Sequence, residues 1–276
     1  MKANPYINPV PTKDGQVLGY VHSLETFGAV DGPGIRFVAF MQGCNMRCKF
    51  CHNPDTWKKN VGMQMTASEL LEKALPYRAF WGEDGGITLS GGEILLQPEF
   101  ALEVFKQCKE HGISTCLDTC GAPFTRREPW FSLFNELLEY TDILLVDIKH
   151  INSDEHKRLT GYPNENILDM CEYLSELGKP VWIRHVLVPG ITDDDKYLKE
   201  LGKYIKTLKN VEKVEVLPYH TMGVRKYKEM GIKYRLEGVE PPTADRIENA
   251  EKLLCVADYK GYLTWKPGIN TKEQGL

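Results

Sequence analysis

Ile35-Arg36-Phe37-Val38-Ala39-Phe40-Met41-Gln42-Gly43-Cys44-Asn45-Met46-Arg47-Cys48-Lys49-Phe50-Cys51-His52-Asn53 reads as an apolar strand running into a loop with three cysteines spaced C-x3-C-x2-C. Three thiolates hold three corners of a four-iron cluster and leave the fourth iron open to a substrate, whereas four-cysteine ligation suits electron relay. A structural zinc site wants four N/S ligands, so His52 would have to turn back beside Cys51. Spacing alone leaves three readings open: an open cluster, a zinc site, or three unrelated thiols. A disulfide framework is not expected, because the chain opens on no apolar export leader and is too long to need staples.

The strand at 35–41 is the first of six similar runs, at 86–90, 113–118, 142–148, 181–188 and 211–217, each followed by a helical pattern. One helix sets Tyr197, Leu198, Leu201, Tyr204, Ile205 and Leu208 on a stripe behind an expected cap at Thr192 with Asp195. Another carries Phe100, Ala101, Val104, Phe105 and Cys108; Thr66 with Glu69 opens a third, and Ile247, Ala250 and Leu254 form the last stripe. Six β-then-α repeats predict a parallel sheet wound in one direction, as a closed or incomplete barrel or an open doubly wound sheet. Residues 1–15 read as a loosely attached arm, Gln16 to Glu25 as an extra strand, and 16–276 as one domain.

The 276 residues, 42% hydrophobic and 26% charged, suffice for one large core. A net charge of -4 argues against nucleic acid as a main partner, since counterion release needs a basic surface. No stretch approaches the roughly twenty apolar residues of a membrane span. Eight cysteines without an export signal predict a reducing cytoplasm.

In parallel α/β folds the site lies at the carboxyl ends of the strands. Those ends carry the cysteine loop, Ser90-Gly91-Gly92-Glu93, Asp118-Thr119, Asp147-Ile148-Lys149, Arg184 with Val188-Pro189-Gly190, and Pro218-Tyr219-His220. Singly, each has an ordinary explanation: Gly91-Gly92 as a turn, Lys149 as a solvated amine, His220 as a surface residue. Together, at one end of one sheet, they point to a site.

The loop Gly43 to Asn53, with Phe50 ahead of the third cysteine, resembles the cluster loop of the radical S-adenosylmethionine (SAM) enzymes. Val30-Asp31-Gly32-Pro33-Gly34-Ile35-Arg36-Phe37, Leu117-Asp118-Thr119, Val181-Trp182-Ile183-Arg184 and Leu217-Pro218-Tyr219-His220 are similar to the glycyl-radical-enzyme activases, in the branch acting on pyruvate formate-lyase, from about residue 16 to the end. The resemblance implies a partial, laterally open (β/α)6 barrel of the radical SAM type. It implies a [4Fe-4S] cluster on Cys44, Cys48 and Cys51, with SAM chelating the fourth iron through its amino and carboxylate groups. Phe50, Cys51 and His52 would lie against the adenine, Gly91, Gly92 and Glu93 by the methionyl amine, and Asp147, Ile148, Lys149, Arg184 and His220 along the ribose and carboxylate. Asp118, Thr119 and Asp147 match a monovalent cation site in that family.

The resemblance further implies a 5′-deoxyadenosyl radical acting on one glycine Cα of a protein partner, pyruvate formate-lyase. A low-potential reductant such as flavodoxin or ferredoxin would supply the electron, and the activase would be a monomer. Asp31, in its glycine-rich turn, is the residue expected at the incoming peptide; an ordinary Asx turn accounts for it equally. Two departures stand out: Ile94 follows Glu93 where the wider superfamily often has proline, and Cys120 stands where asparagine is usual. Cys108, Cys116 and Cys120 are expected as small apolar fillers. No cysteine lies between Cys51 and Gly91, so the additional ferredoxin-type clusters of the glycerol dehydratase and benzylsuccinate synthase activases are not expected.

Overall fold

All six apolar runs form parallel strands in a computed structural model that describes residues 11–268. The strands are β1 (Thr12–Lys13), β2 (Gln16–Gly28), β3 (Arg36–Met41), β4 (Met63–Thr66), β5 (Gly86–Gly91), β6 (Ser114–Thr119), β7 (Ile143–Asp147), β8 (Val181–Leu187) and β9 (Val211–Pro218). They make one sheet in the order β1-β2-β3-β5-β6-β7-β8-β9, with β4 also paired to β2. β3 and β5 to β9 run parallel, while β2 adds antiparallel to β3 as the expected extra strand. Among the described residues no pairing joins β9 back to β2 or β3, so the barrel stays open along one side.

Period-two alternation gives the sheet two different faces. Ile87, Leu89, Leu117, Leu144, Val146 and Ile183 belong to the large core against the helices. Those helices are α1 (Ala67–Ala74), α2 (Pro98–Glu110), α3 (Trp130–Glu139), α5 (Glu165–Leu177), α6 (Asp195–Ile205) and α8 (Ala244–Leu253), while α4 (Ser153–Thr160) gives Leu159 to a second cluster with Cys44 and Cys48, and α7 (Val224–Glu229) lies apart from the large core. The intervening residues face inward. Cys116, Ile143, Leu145 and Trp182 close the lower part of that face with Trp265, and Ser90, Asp118, Asp147 and Arg184, each two residues farther along a strand than an inward neighbour, line a cavity above it.

Local chemistry explains most helix starts. Thr66 and Glu69 form the expected reciprocal cap on α1, each side chain bonded to the other's backbone N–H. On α6 the cap is Asp194, which accepts from Lys196 N (2.8 Å), and not the expected Thr192. The Pro189-Gly190 turn brings Thr192 back over the end of β8. There its hydroxyl accepts from Val188 N and donates to Val186 O, both at 2.7 Å. Within the expected arm, Thr12 and Lys13 pair with Val17 and Gln16; its residues 1–10, and the expected domain beyond 268, lie outside the described residues. Among the described residues no helix is long and apolar enough to cross a membrane.

Candidate functional site

A cavity of about 490 Å³ opens at the carboxyl ends of the parallel strands, and Cys44, Cys48 and Cys51 all line it. The cysteine loop is held by the end of α4, whose last carbonyls have no partner within the helix. Arg47 N donates to Thr160 O (2.8 Å) and Lys49 N to Leu159 O (3.0 Å). From below, Gly43 N donates to Thr56 O (2.7 Å) and Glu93 N to Gly43 O (2.9 Å). Cys44 and Cys48 are buried and Cys51 half-buried, all as free thiols. Burial pushes the Cys44 and Cys48 thiols up to about 12, Lys149 pulling back on the latter, so iron ligation would have to release their protons.

This donor set suits a cluster better than a single zinc ion. Among the described residues no three His, Cys, Asp or Glu side chains gather as one metal ion requires. His52 is turned away from Cys51: its ring stacks on His220 at 3.8 Å, and its Nε2–H donates to the His220 carbonyl (3.2 Å). Three sulfurs around a roomy cavity, with no fourth ligand beside them, fit a cluster with one open iron.

Opposite the cysteines lies a half-buried charge network. Arg184 bridges two strands, donating from Nε to Asp147 (2.9 Å) and from Nη2 to Asp118. Lys149 donates to the other Asp147 oxygen (3.0 Å), and Ser90 Oγ to the other Asp118 oxygen (2.6 Å). Burial alone would raise Asp147, but Arg184 and Lys149 overcome it and hold the carboxyl at about 2. For Asp118 burial wins, and its carboxyl is raised despite Arg184. Two cations thus balance two carboxylates, and the Lys149 ammonium also sits 5.6 Å over the Phe50 ring.

The structure brings Asp31, Phe50, His52, Gly91, Gly92, Asp118, Thr119, Asp147, Lys149, Arg184 and His220 to this cavity with the three cysteines. Glu93 does not reach it. It is 1% exposed behind the wall, where its oxygens accept from Leu95 N (2.9 Å), Thr119 Oγ1 (2.5 Å), Cys120 N (2.9 Å) and Cys120 Sγ (2.7 Å). A carboxylate so occupied braces the wall in place of contacting an amine. Cys120 is correspondingly more than a filler, because its thiol is one of the four donors. Ile148 points away into the large core, offering only its backbone, as with its carbonyl bonded to His185 Nδ1 (2.8 Å).

The carboxylate oxygens expected to hold a monovalent cation each accept one hydrogen bond. Asp118 and Asp147 accept from Arg184, Ser90 and Lys149, and the Thr119 hydroxyl is turned to Glu93. Close packing explains the glycine pair: a Cβ on Gly91, at φ +111°, would strike the Met41 backbone, and one on Gly92 the Gly43 carbonyl. Two contributors were absent from the expected site residues. Ser90 fixes Asp118, and the fully buried Arg36 fixes the Asp31 turn by donating to Pro33 O and to Thr88 Oγ1 (3.0 Å), which donates in turn to Asp31 O (2.7 Å). A charged residue inside the apolar run 35–41 was the available signal for Arg36.

Comparison with known proteins bears on this arrangement. Residues 38–201 match the family model of the Radical SAM superfamily. The chain is 54% identical over 249 residues to the pyruvate formate-lyase-activating enzyme of Streptococcus mutans, covering 90% of this chain and 95% of that protein. It is 51% identical over 246 residues to the enzyme of the same name from Listeria monocytogenes, covering 89% and 99%. Among solved structures, a domain of pyruvate-formate lyase-activating enzyme from Bacteroides vulgatus aligns with a TM-score of 0.52 at 27% identity, over 64% of this chain and 96% of that one. A radical SAM methyltransferase from Sphaerobacter thermophilus shares the fold alone, with a TM-score of 0.59 at 18% identity over 92% of this chain and 74% of that one.

Proposed function

The chain belongs to the Radical SAM superfamily, and from that membership we propose that it activates pyruvate formate-lyase by installing a glycyl radical. The observation that carries this reading is the meeting of three free thiols, a neutral four-residue charge network and an open barrel side at one cavity, in a chain half identical to proteins named for that activity. When bound, a [4Fe-4S] cluster supplies one electron to the sulfonium of SAM, and the resulting 5′-deoxyadenosyl radical takes a hydrogen atom from one glycine Cα of the partner.

The protein's share of that chemistry is binding, orientation and exclusion of water. Cys44, Cys48 and Cys51 hold the cluster. Phe50, Cys51 and His52 bracket the adenine, with His220 stacked on His52 fixing that ring. Gly91 and Gly92 offer backbone to the methionyl group, and Lys149, Arg184 and Asp147 face its carboxylate and the ribose. Glu93 acts one layer back, as the brace for Thr119 and Cys120. Arg184 and Lys149 balance Asp118 and Asp147, and Asp118, Thr119 and Asp147 would hold a monovalent cation. Asp31 stands at the cavity rim for the peptide, and the unclosed side of the barrel admits it, since a radical acts only on a C–H bond brought within contact.

The described residues from 16 to 268 act as one radical SAM domain, to which Thr12–Lys13 add by pairing with β2. The protein works as a cytoplasmic monomer supplied by a low-potential flavodoxin or ferredoxin; eight free thiols suit such a compartment. The test is anaerobic incubation of the iron-loaded protein with SAM, reductant and pyruvate formate-lyase. The expected result is a glycyl-radical doublet by electron paramagnetic resonance with stoichiometric 5′-deoxyadenosine. SAM cleavage that never yields the doublet would transfer the assignment to small-molecule radical chemistry.

A further inference from the structure

The turn that carries Asp31 has little rigidity of its own. Val30-Asp31-Gly32-Pro33-Gly34 contains two glycines at positive φ, Gly32 at +130° and Gly34 at +65°, and a glycine free to adopt such angles has many others open to it. The position of the turn is therefore set by what it rests on. Gly32 lies on the side chain of Cys116, where an added Cβ would come within 3.1 Å of Sγ, and Gly34 lies on the backbone of Asp84 and Gly85, where one would come within 2.5 Å of Gly85 N. Arg36 ties the turn to that second support, donating from Nη1 to Pro33 O and to Asp84 O (3.1 Å).

Residues 261–266, beyond α8, hold both supports. Trp265 is 7% exposed and shares one apolar cluster with Cys116, Ile143, Leu145 and Trp182; Cys116, Leu145 and Trp182 stand two residues before Asp118, Asp147 and Arg184. The next residue, Lys266, pairs with Glu83 (3.1 Å) and Asp84 (2.9 Å) in the loop ahead of β5. The other end of the segment is fastened to the edge strand β9. Gly261 lies so close to Glu212 that a Cβ would overlap its carboxylate, and the Lys213 ammonium sits 4.4 Å from the Trp182 ring centroid and 4.9 Å from that of Tyr262. Six residues thus cross the amino ends of the strands from β9 to β5, and they floor a barrel that strand pairing leaves open.

We propose that this segment is a strap that orients the peptide substrate through the Asp31 turn, with Trp265 as its positioning residue. The inference rests on the activation reading above and on the place of Asp31 in it. Trp265 does not line the cavity and acts from below: it backs Cys116 under Gly32, while Lys266 holds the Asp84 loop against Gly34. With the floor in place, the turn presents Asp31 at the cavity rim before any partner arrives. Without it the turn samples other positions, and ordering it falls to the binding step, which weakens the encounter with the peptide.

The test compares Trp265→Ala, Trp265→Phe and Lys266→Glu in the iron-loaded protein. Hydrogen exchange of the backbone amides across the Asp31 turn, read by mass spectrometry, should speed up about fivefold or more in Trp265→Ala and by less in Lys266→Glu. It should stay near wild type in Trp265→Phe, which keeps an aromatic filler. The KM for pyruvate formate-lyase in glycyl-radical formation should rise about tenfold in Trp265→Ala with kcat nearly unchanged. Because Trp265 acts through the turn, Asp31→Ala/Trp265→Ala should be no slower than Asp31→Ala alone, whereas a general loss of packing would add to it. Unchanged exchange across the turn overturns the proposal, and so do fully additive effects in the double variant. Should Trp265→Ala fail to fold, Lys266→Glu decides by the same exchange measurement. A wild-type protein that forms no radical on the partner refutes the activation reading instead, and the exchange rates still decide whether the strap holds the turn.

Discussion

Replacing Arg184 by Gln should destabilise the protein even without cluster or SAM, because the guanidinium is the shared counter-ion of two largely desolvated, half-buried carboxylates on neighbouring strands. In Arg184→Gln only Lys149 remains to balance Asp118 and Asp147, which leaves one buried negative charge. Breaking a buried pair from one side costs about 3–5 kcal/mol, and at roughly 2–4 °C per kcal/mol for a domain of this size class the melting temperature should drop by about 6–20 °C. Asp118, already raised by burial, is the group that will take up a proton in the variant. With a folded-state value above the unfolded one, the variant's folded form binds that proton first. Its deficit should therefore shrink as pH falls from 7 toward the ordinary carboxylate range. Asp118→Asn/Arg184→Gln restores charge balance, with Asp147 and Lys149 still paired at 3.0 Å, and should recover most of the loss. Urea and thermal unfolding of the metal-free proteins, followed by circular dichroism at pH 7 and pH 5, measures all of this. An Arg184→Gln protein within about 1 kcal/mol of wild type, or a double variant no more stable than the single, would refute the reasoning.

Cys48→Ala should fail to assemble a full cluster on anaerobic iron and sulfide loading, whereas Cys120→Ala should keep its iron and lose about 1 kcal/mol of stability as Glu93 loses one of four donors; iron analysis with denaturant titration separates the two. Asp31→Ala should retain iron and SAM affinity by titration yet form the glycyl radical on pyruvate formate-lyase slowly, and an unchanged rate would remove Asp31 from the peptide contact. His156, wholly buried, is held down at about 4 by desolvation, below its unfolded value near 6.5. The unfolded state thus binds more protons between those limits, and the stability due to neutral His156 is full above pH 6.5 and lost as pH falls toward 4. It amounts to about 2–3 kcal/mol, and a His156→Gln variant should show a flatter pH–stability curve in that window.

Much of this protein could be read from residue order alone. Six short apolar runs, each followed by an amphipathic pattern, determine six parallel strands, because only a parallel sheet with helical crossovers buries strands of that kind. The carboxyl-end rule then places Cys44 to Cys51, Gly91, Asp118, Asp147, Arg184 and His220 together without any coordinates. Local chemistry sufficed as well where both partners lie within one turn, as with Thr66 and Glu69.

What needed the tertiary structure is whatever depends on partners distant in the chain. Glu93 has the motif position of a ligand contact, yet Thr119 and Cys120, 26 and 27 residues on, supply the donors that draw it behind the wall. Asp118 and Asp147 form an acidic pair in sequence, but Arg184, 66 and 37 residues away, neutralises them across adjacent strands. Thr192 carries a capping pattern and loses the role to Asp194 because a turn returns its hydroxyl to β8. The open side of the barrel follows from β9 finding no second partner beyond β8 among the described residues while β3 pairs with β2. Strand pairing is a contest for backbone hydrogen bonds between segments far apart in the chain, so its outcome is settled only when the whole sheet has formed.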